Sequence, residues 1–543
     1  MTDFNAARVR PANDRPVNPA GEYVLYWCQL VRRLHGNHAL DYAAGWAAKL
    51  NKPLVVYEGL KLNYPWASAR LHTFVIQGMR DSAAAARKLG VSYWPFVETP
   101  DQPGRGLVRQ IAAGACLVVT DDYPQFIGPA HVRAVAGLDV AVHAVDNNGL
   151  IPLARLGLPV AAAAHLRPRI HKLFAEAWAN RPADTPDLPK SVRTPVEPPF
   201  KTWHPPKDIA GFVAGLPVDQ FVTPVPGAEG GSAAGRRQLA AFVADKLGRY
   251  ADERNQPDDP ARSAASGLSW ALHFGHVGIQ EVAEAVLGPD WTPDELNLKT
   301  RNKDDFFCRD PNVNAFLDEA ITWRDLGFHW HFARGQAAGG GRVSWQAGER
   351  MPSFNYDTFD YSPLPEGGTL ARVLPEWAKA TLARHAADPR PHLYTLEEFE
   401  HADTHDELWN AAQRELVASG RMHNYLRMLW GKKVLEWSRT PEEAYRTLEY
   451  LNNKYAIDGR DPNSYSGILW CFGLFDRPWP PDRAVTGTVR YMTSESTARK
   501  FKLGGYYEYV RSLPAPAGDR RPAGPAVLTP ETPAGGGNPH RRS

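Results

Sequence analysis

The 543-residue chain has only four cysteines, Cys28, Cys116, Cys308 and Cys471, and no two are close in sequence. That spacing excludes a disulfide framework and a compact metal motif, and makes a reduced, intracellular protein the expectation. There is no run of about 18 apolar residues, so no membrane span is expected. The opening stretch, MTDFNAARVRPANDRPVNPAGE, lacks the apolar centre of a signal peptide. Charge of either sign is not in excess: 62 Lys and Arg face 60 Asp and Glu, for a net +2. Bulk charge therefore does not announce a nucleic-acid partner, although a small net charge does not exclude local patches. A GxGxxG after the first apolar run is also missing, and with it the dinucleotide fingerprint. What the chain does have is 17 Trp and 47 Pro.

Apolar runs at 23–28, 53–57, 115–120 and 138–145 alternate with helical periodicity at 35–50 and 67–89. This pattern predicts an α/β domain with a parallel sheet covered on both faces, placed at 22–165. It is Rossmann-like without the fingerprint. Residues 1–21 read as a flexible leader and 166–228 as an interdomain linker, Pro-rich and aperiodic from 171 to 205. From 229 to 512 the periodicity is helical, at 234–252, 278–287, 311–332, 389–397 and 406–420, so a second, all-helical domain is expected. Residues 335–370 read as an insertion and 513–543 as a disordered tail.

One short stretch raises a functional question. MHNYLRMLWGKKVLEW, residues 422–437, sets Trp430 and Trp437 seven apart in a helix. Seven residues advance a helix by about 10.5 Å with about 20° of drift, so both rings occupy one side. A core stripe and a pair of electron carriers satisfy that spacing equally.

The wider sequence resembles the class II branch of the DNA photolyase and cryptochrome family. The likeness runs through VLYWCQLVRR, YPWASARLHTF, SGLSWALHFGHV, FLDEAITWRDL, LYTLEEFEHADTHDELWNAAQREL, LNNKYAIDGRDPNSYSGILW and GTVRYMTSESTARKF, in order across residues 23–510. It implies an α/β domain, a long linker and a helical domain that binds FAD, active as FADH⁻. By this resemblance Trp409, Trp430 and Trp437 match a tryptophan chain that reduces photoexcited flavin. Arg427 and Asp458 match an ion pair at the flavin N5 edge, and Asn452 the amide facing N5. Further cofactor contacts are expected from Ser266, Ser269, Asp461 and Asn463. Gly230, Gly231 and Ser232 precede a helical run whose free backbone N–H groups suit a pyrophosphate.

The resemblance also implies UV-damaged DNA as partner. Glu319 and Trp323, four apart on the expected 311–332 helix, match an acid and an aromatic platform for a flipped pyrimidine dimer, and Trp470 a second aromatic contact. Arg421, Arg427, Lys432, Lys433, Arg490, Arg499, Lys500 and Lys502 are candidates for a DNA-facing patch, with Arg427 assigned mainly to the cofactor. An 8-hydroxy-5-deazaflavin antenna occurs in similar proteins, but nothing in 23–165 identifies one here. The segment RDLGFHWHFARG departs from the family pattern beside the substrate helix, as do Trp270 and Ala271. The implied activity is light-driven repair of cyclobutane pyrimidine dimers by a cytoplasmic monomer with no metal. A cryptochrome-type photoreceptor and repair of (6-4) photoproducts are the alternatives.

Overall fold

The structure is a computed structural model and describes residues 3–300, 302–337 and 369–514. Most of the expected 335–370 insertion, and the tail from 515 onward, lie outside the described residues. Strands β1 (Val9–Pro11), β2 (Tyr23–Cys28), β3 (Leu54–Leu60), β4 (Ser92–Val97), β5 (Ala115–Asp121) and β6 (Val142–Val145) form one sheet in the order β1-β6-β5-β2-β3-β4. The neighbours from β2 to β6 pair parallel, whereas β1 pairs antiparallel with β6. Every residue of β2 and of β5 is buried, as expected of strands covered on both faces. Strand β4 escaped the sequence reading because Pro95 interrupts it. It is an edge strand, where a missing N–H is tolerated.

The leader needs correction. Asp3–Ala6 form a helical turn and Val9–Pro11 add an edge to the sheet. Arg8 explains why a polar segment is held: its buried guanidinium donates to the carbonyls of Asp146, Gly149 and Leu150 at 3.2, 3.1 and 2.6 Å. Composition cannot reveal such a bond set.

Helices α1 (His38–Leu50) and α2 (Ala69–Leu89) flank the sheet, capped by the side chains of Asn37 and Ser68. Helix α3 (Ala163–Ala179) crosses the expected linker boundary, and its Leu166, Ile170 and Phe174 join a core with Trp291, Phe306 and Phe307. The Pro-rich stretch from 181 to 205 holds neither helix nor strand. The second domain is helical as expected and includes α4 (Ser232–Asp245), α5 (Arg324–Ala337), α6 (Glu407–Ser419), α7 (Asn424–Trp437), α8 (Pro441–Tyr455) and α9 (Pro462–Trp470). The 311–332 helix is interrupted: Pro311–Leu317 is α-helical, Asp318–Trp323 is a π-turn, and α5 follows. No helix spans 389–397, because Pro389 and Pro391 prevent one; helix begins at Leu396, after a capping box on Thr395.

Arg70 on α2 ties the two domains together. It donates from Nε to Thr223 O, from Nη1 to Tyr455 O and from Nη2 to Val417 O, at 2.9, 2.6 and 2.7 Å. These carbonyls belong to the linker and to the ends of α8 and α6. Burial lowers the Arg70 pKa to about 10, so the group stays charged at neutral pH. Replacing it leaves three carbonyls competing for water in a closed seam. We expect Arg70→Met to lower the free energy of unfolding by about 3 kcal/mol in a denaturant titration. A loss below about 0.5 kcal/mol, the range of an ordinary surface change, would contradict the staple.

Candidate functional site

The three candidate carriers meet as a sequence of contacts. Asp406 caps α6 by accepting from the Trp409 backbone N–H at 2.9 Å, which fixes Trp409 in the first turn. The Trp409 indole then reaches α7, with Nε1 donating to Trp430 O at 3.0 Å. Its ring stacks on Trp430 at a 6.5 Å centroid distance and 12°, and meets Trp437 at 6.0 Å and 64°. Trp430 is anchored by Nε1 donating to Gln413 Oε1 at 3.0 Å. The seven-residue spacing on α7 therefore leaves a gap that a ring from 21 positions earlier fills. All three indoles are buried.

On the adjoining elements, Arg427 Nη2 donates to Asp458 Oδ1 at 3.4 Å, and both side chains keep some exposure. Asn452, near the end of α8, is buried and donates one N–H to Asn453 Oδ1 at 3.2 Å. Among the described residues no other hydrogen bond engages its carboxamide oxygen or second N–H. Asp458 is held from behind by Ser464 Oγ, which donates to its backbone carbonyl at 2.9 Å. Ser266 and Ser269 flank the turn into a short helix, Ser266 half-buried and Ser269 exposed.

The glycine turn before α4 does something else. Gly230 N–H donates to Gln77 Oε1, Gly231 N–H to His276 Nδ1 and Ala233 N–H to Asp81 Oδ2, at 2.8, 2.9 and 2.8 Å. The Gly230 and Gly231 amides expected to hold pyrophosphate are thus engaged within the protein, and the Asp81 carboxylate repels an anion there. A Cβ on Gly230 would lie 1.9 Å from Phe74 O, and one on Gly231 2.5 Å from Asp81 Oδ2. Gly78 similarly admits the ring of His276. These glycines, with Ser232 opening the helix, let α4 sit against α2; they form a domain seam. Asp461 is likewise occupied: Oδ1 caps α9 through Asn463 N–H, and Oδ2 accepts from Tyr123 Oη at 3.0 Å and lies 3.2 Å from His273 Nδ1. Asn463 packs against Gly327 of α5.

Glu319 and Trp323 lie on the π-turn, a device common at functional sites because it widens a helix by one residue. Trp323 is 38% exposed, unusual for an indole among the described residues. Glu319 Oε1 lies 3.8 Å from Arg254 Nε, a partner that sequence reasoning missed because its segment shows no motif. Burial raises the Glu319 pKa, Asp318 adds to the rise, and Arg254 opposes it. Trp470 is half-buried beneath two cations, with Lys432 Nζ 6.0 Å and the Arg490 guanidinium 5.9 Å from its ring centre.

Two further expectations change. Lys432 and Lys433 are buried, donating to Cys471 O and Glu436 Oε2, so they leave the DNA-facing set. Arg499, Lys500 and Lys502 are exposed. His329, Trp330 and His331 are buried, so this departure from the family alters the core and not the surface beside Trp323.

A mostly parallel sheet domain stapled to a helical domain is the architecture of photolyases and cryptochromes. A bacterial class III photolyase from Agrobacterium tumefaciens superposes with a TM-score of 0.56 at 18% identity, covering 91% of this chain and 86% of that one. A cryptochrome of Synechocystis sp. PCC6803 gives 0.58 at 15% identity, covering 90% and 88%. No family model matches the chain. The sequence nevertheless belongs to the deoxyribodipyrimidine photo-lyase family. It is 32% identical over 515 residues to that enzyme from Methanothermobacter thermautotrophicus, covering 94% of this chain and 99% of the relative. The Oryza sativa subsp. japonica enzyme is 33% identical over 523 residues, covering 93% and 90%. Membership implies a flavin, FAD. Arg427, Asp458 and Asn452 fit such a group, since the ion pair is loosely bonded and the amide is only part committed. The Gly230–Gly231 turn and Asp461 do not.

The seam reading separates from the phosphate reading by experiment. Gly230→Ala should destabilise the fold by about 3 kcal/mol, the upper range for forcing a methyl into packed atoms, as read from the unfolding midpoint. Unchanged stability with weakened flavin retention would return this turn to the cofactor.

Proposed function

We propose that the protein is a class II photolyase that repairs cyclobutane pyrimidine dimers in UV-damaged DNA. The observation that carries this reading is a carboxyl with a raised pKa and an exposed indole, four residues apart on one π-turn. When bound, reduced FAD supplies the light-driven electron that splits the dimer. Trp323 and Trp470 offer flat faces that replace base stacking for a flipped lesion. Glu319, whose carboxyl is shifted by burial toward the protonated form, donates a hydrogen bond to a pyrimidine carbonyl and strengthens that bond as negative charge develops on the base. Arg254 keeps the carboxyl aimed and limits its pKa rise.

The flavin side follows from the same economy of charge. Arg427 and Asp458 hold a compensated pair at the ring edge, so neither charge is left unpaired. Asn452 presents a neutral amide that can donate or accept. Ser266 and Ser269 supply hydroxyls for the rest of the cofactor. Trp430, Trp409 and Trp437 carry electrons inward, in the order surface, Trp437, Trp409, Trp430. Arg421, Arg490, Arg499, Lys500 and Lys502 attract phosphates, and duplex binding weakens as salt rises. An 8-hydroxy-5-deazaflavin antenna in the α/β domain and a cytoplasmic, monomeric state complete the reading. Among the described residues no helix is long and apolar enough to cross a membrane.

Two measurements test it. With flavin fully reduced and a single defined thymine dimer, Glu319→Ala should lower the repair quantum yield severalfold while flavin stays bound. Glu319→Gln keeps a donor and should retain more activity. Because the Glu319 pKa is raised, the neutral donor is lost as pH rises through that value; wild-type yield should fall there and the Gln variant should not. Equal yields in wild type and the Ala variant would remove Glu319 from the mechanism. Separately, Trp409→Phe should block photoreduction of oxidised flavin yet leave repair by chemically reduced protein intact. Loss of both would instead mark Trp409 as structural.

A further inference from the structure

Glu449 takes no part in the chemistry above, yet it is a buried carboxyl on α8, one turn before Asn452 and Asn453. Burial raises its pKa to about 8, against the opposing pull of Tyr465 and Arg446, so the acid is mainly uncharged at neutral pH. Arg446 is exposed on the same helix. Tyr465 comes from α9, and its phenol is hydrogen-bonded to the Glu449 carboxyl. Arg460 and His331 also face Tyr465. The Arg460 guanidinium donates to the carbonyls of Asn453, Ala456 and Ile457. The His331 ring of α5, 6.3 Å from that of Tyr465, is held neutral by burial, which lowers its pKa to about 3. A leucine would fill the position without desolvating a carboxyl, so the place of Glu449 follows from the bonds it makes.

The bonds beyond Tyr465 have a fixed direction, set by a backbone amide. Arg460 N–H can only donate, and it does so to the Asn453 carboxamide at 2.9 Å, so the atom it meets is Oδ1. The other end of that carboxamide is then Nδ2, which donates to Tyr465 Oη at 3.0 Å. Asn452 meets the same Oδ1 at 3.2 Å and must present its own Nδ2 to it. Turning the Asn452 amide over would set oxygen against oxygen. The phenol hydroxyl is the rotor in this set. Because Oη accepts from Asn453, its own hydrogen belongs on the other side, toward Glu449. An ionised carboxylate only accepts, and the neutral acid keeps one accepting oxygen. Either form of Glu449 therefore gives the phenol hydrogen a partner away from Asn453.

We propose that Glu449 is a positioning residue for the flavin site: through Tyr465 and Asn453 it fixes the orientation of the Asn452 amide, and its ionisation opposes reduction of the flavin. The proposal rests on the reading that Asn452 faces the flavin. Glu449 and Asn453 are four apart and share one face of α8, which puts the carboxyl on the turn next to Asn452. A negative charge gained there opposes a negative charge gained by the cofactor, and the low-dielectric interior screens the two weakly. The neutral acid favours the reduced state that repair requires, and this advantage is lost as pH rises through about 8.

Spectroelectrochemical titration of the FAD-loaded protein, without light or DNA, reads the midpoint potential of the flavin against pH. In wild type the potential should fall more steeply above about pH 8 than flavin protonation alone requires. Glu449→Gln keeps an acceptor for the phenol but does not ionise. It should match wild type at neutral pH and lose the extra fall. Tyr465→Phe cuts the link to Asn453 and should lower the potential already at neutral pH. Circular dichroism and flavin stoichiometry establish that each variant is folded and loaded. Superposable curves for wild type and Glu449→Gln overturn the proposal, as does an unchanged potential in Tyr465→Phe. Asn452→Ala separates the two readings: a shift there without any in the Glu449 and Tyr465 variants overturns the role of Glu449 alone. An unmoved potential in Asn452→Ala removes Asn452 from the flavin and overturns both.

Discussion

The structure depends on one close approach between backbones. Helix α2 and the start of α4 come so near that a Cβ on Gly230 would strike Phe74 O and one on Gly231 the Asp81 carboxylate, while Gly78 on α2 makes room for the His276 ring. Arg70 sits on the same helix and spends its guanidinium on carbonyls from the linker, α6 and α8. A buried cation with three carbonyl partners is directional, so it fixes an angle between domains where apolar packing would allow sliding. The residues proposed to face flavin and lesion come from segments spread between Arg254 and Trp470. Of the helices that carry them, α6 and α8 are tied to α2 directly through Arg70.

Much of the architecture was legible because it is written in periodicity. The buried strands Tyr23–Cys28 and Ala115–Asp121 are short apolar runs, and α6 and α7 carry long regular patterns. What escaped detection rests on a few hydrogen bonds or prolines. Pro95 hid an edge strand; Pro389 and Pro391 broke an expected helix; Arg8 ordered a leader that composition marks as loose.

The site divides along the same line. Trp430 and Trp437 were visible as a pair, but their link through Trp409 depends on an indole N–H reaching across to a carbonyl of α7. The Gly230–Gly231 turn looked like an anion cradle because free amides at a helix start are generic. Gln77, His276 and Asp81 had already claimed them, and no local pattern announces partners about 45 to 150 residues away. Arg254 was invisible for that reason, too.

The π-turn at Asp318–Trp323 separates two tasks within one helical segment. An extra residue in a turn shifts the phase of everything after it by about 100° relative to an unbroken α-helix. Upstream and downstream faces are thereby released from a common register. Glu319 and Trp323 can face outward while Leu326, Phe328 and Trp330 face the interior. Bulky buried rings at His329, Trp330 and His331 therefore coexist with the carboxyl and indole about two to three turns earlier. Helical phase, more than distance, insulates the working surface from its own foundations.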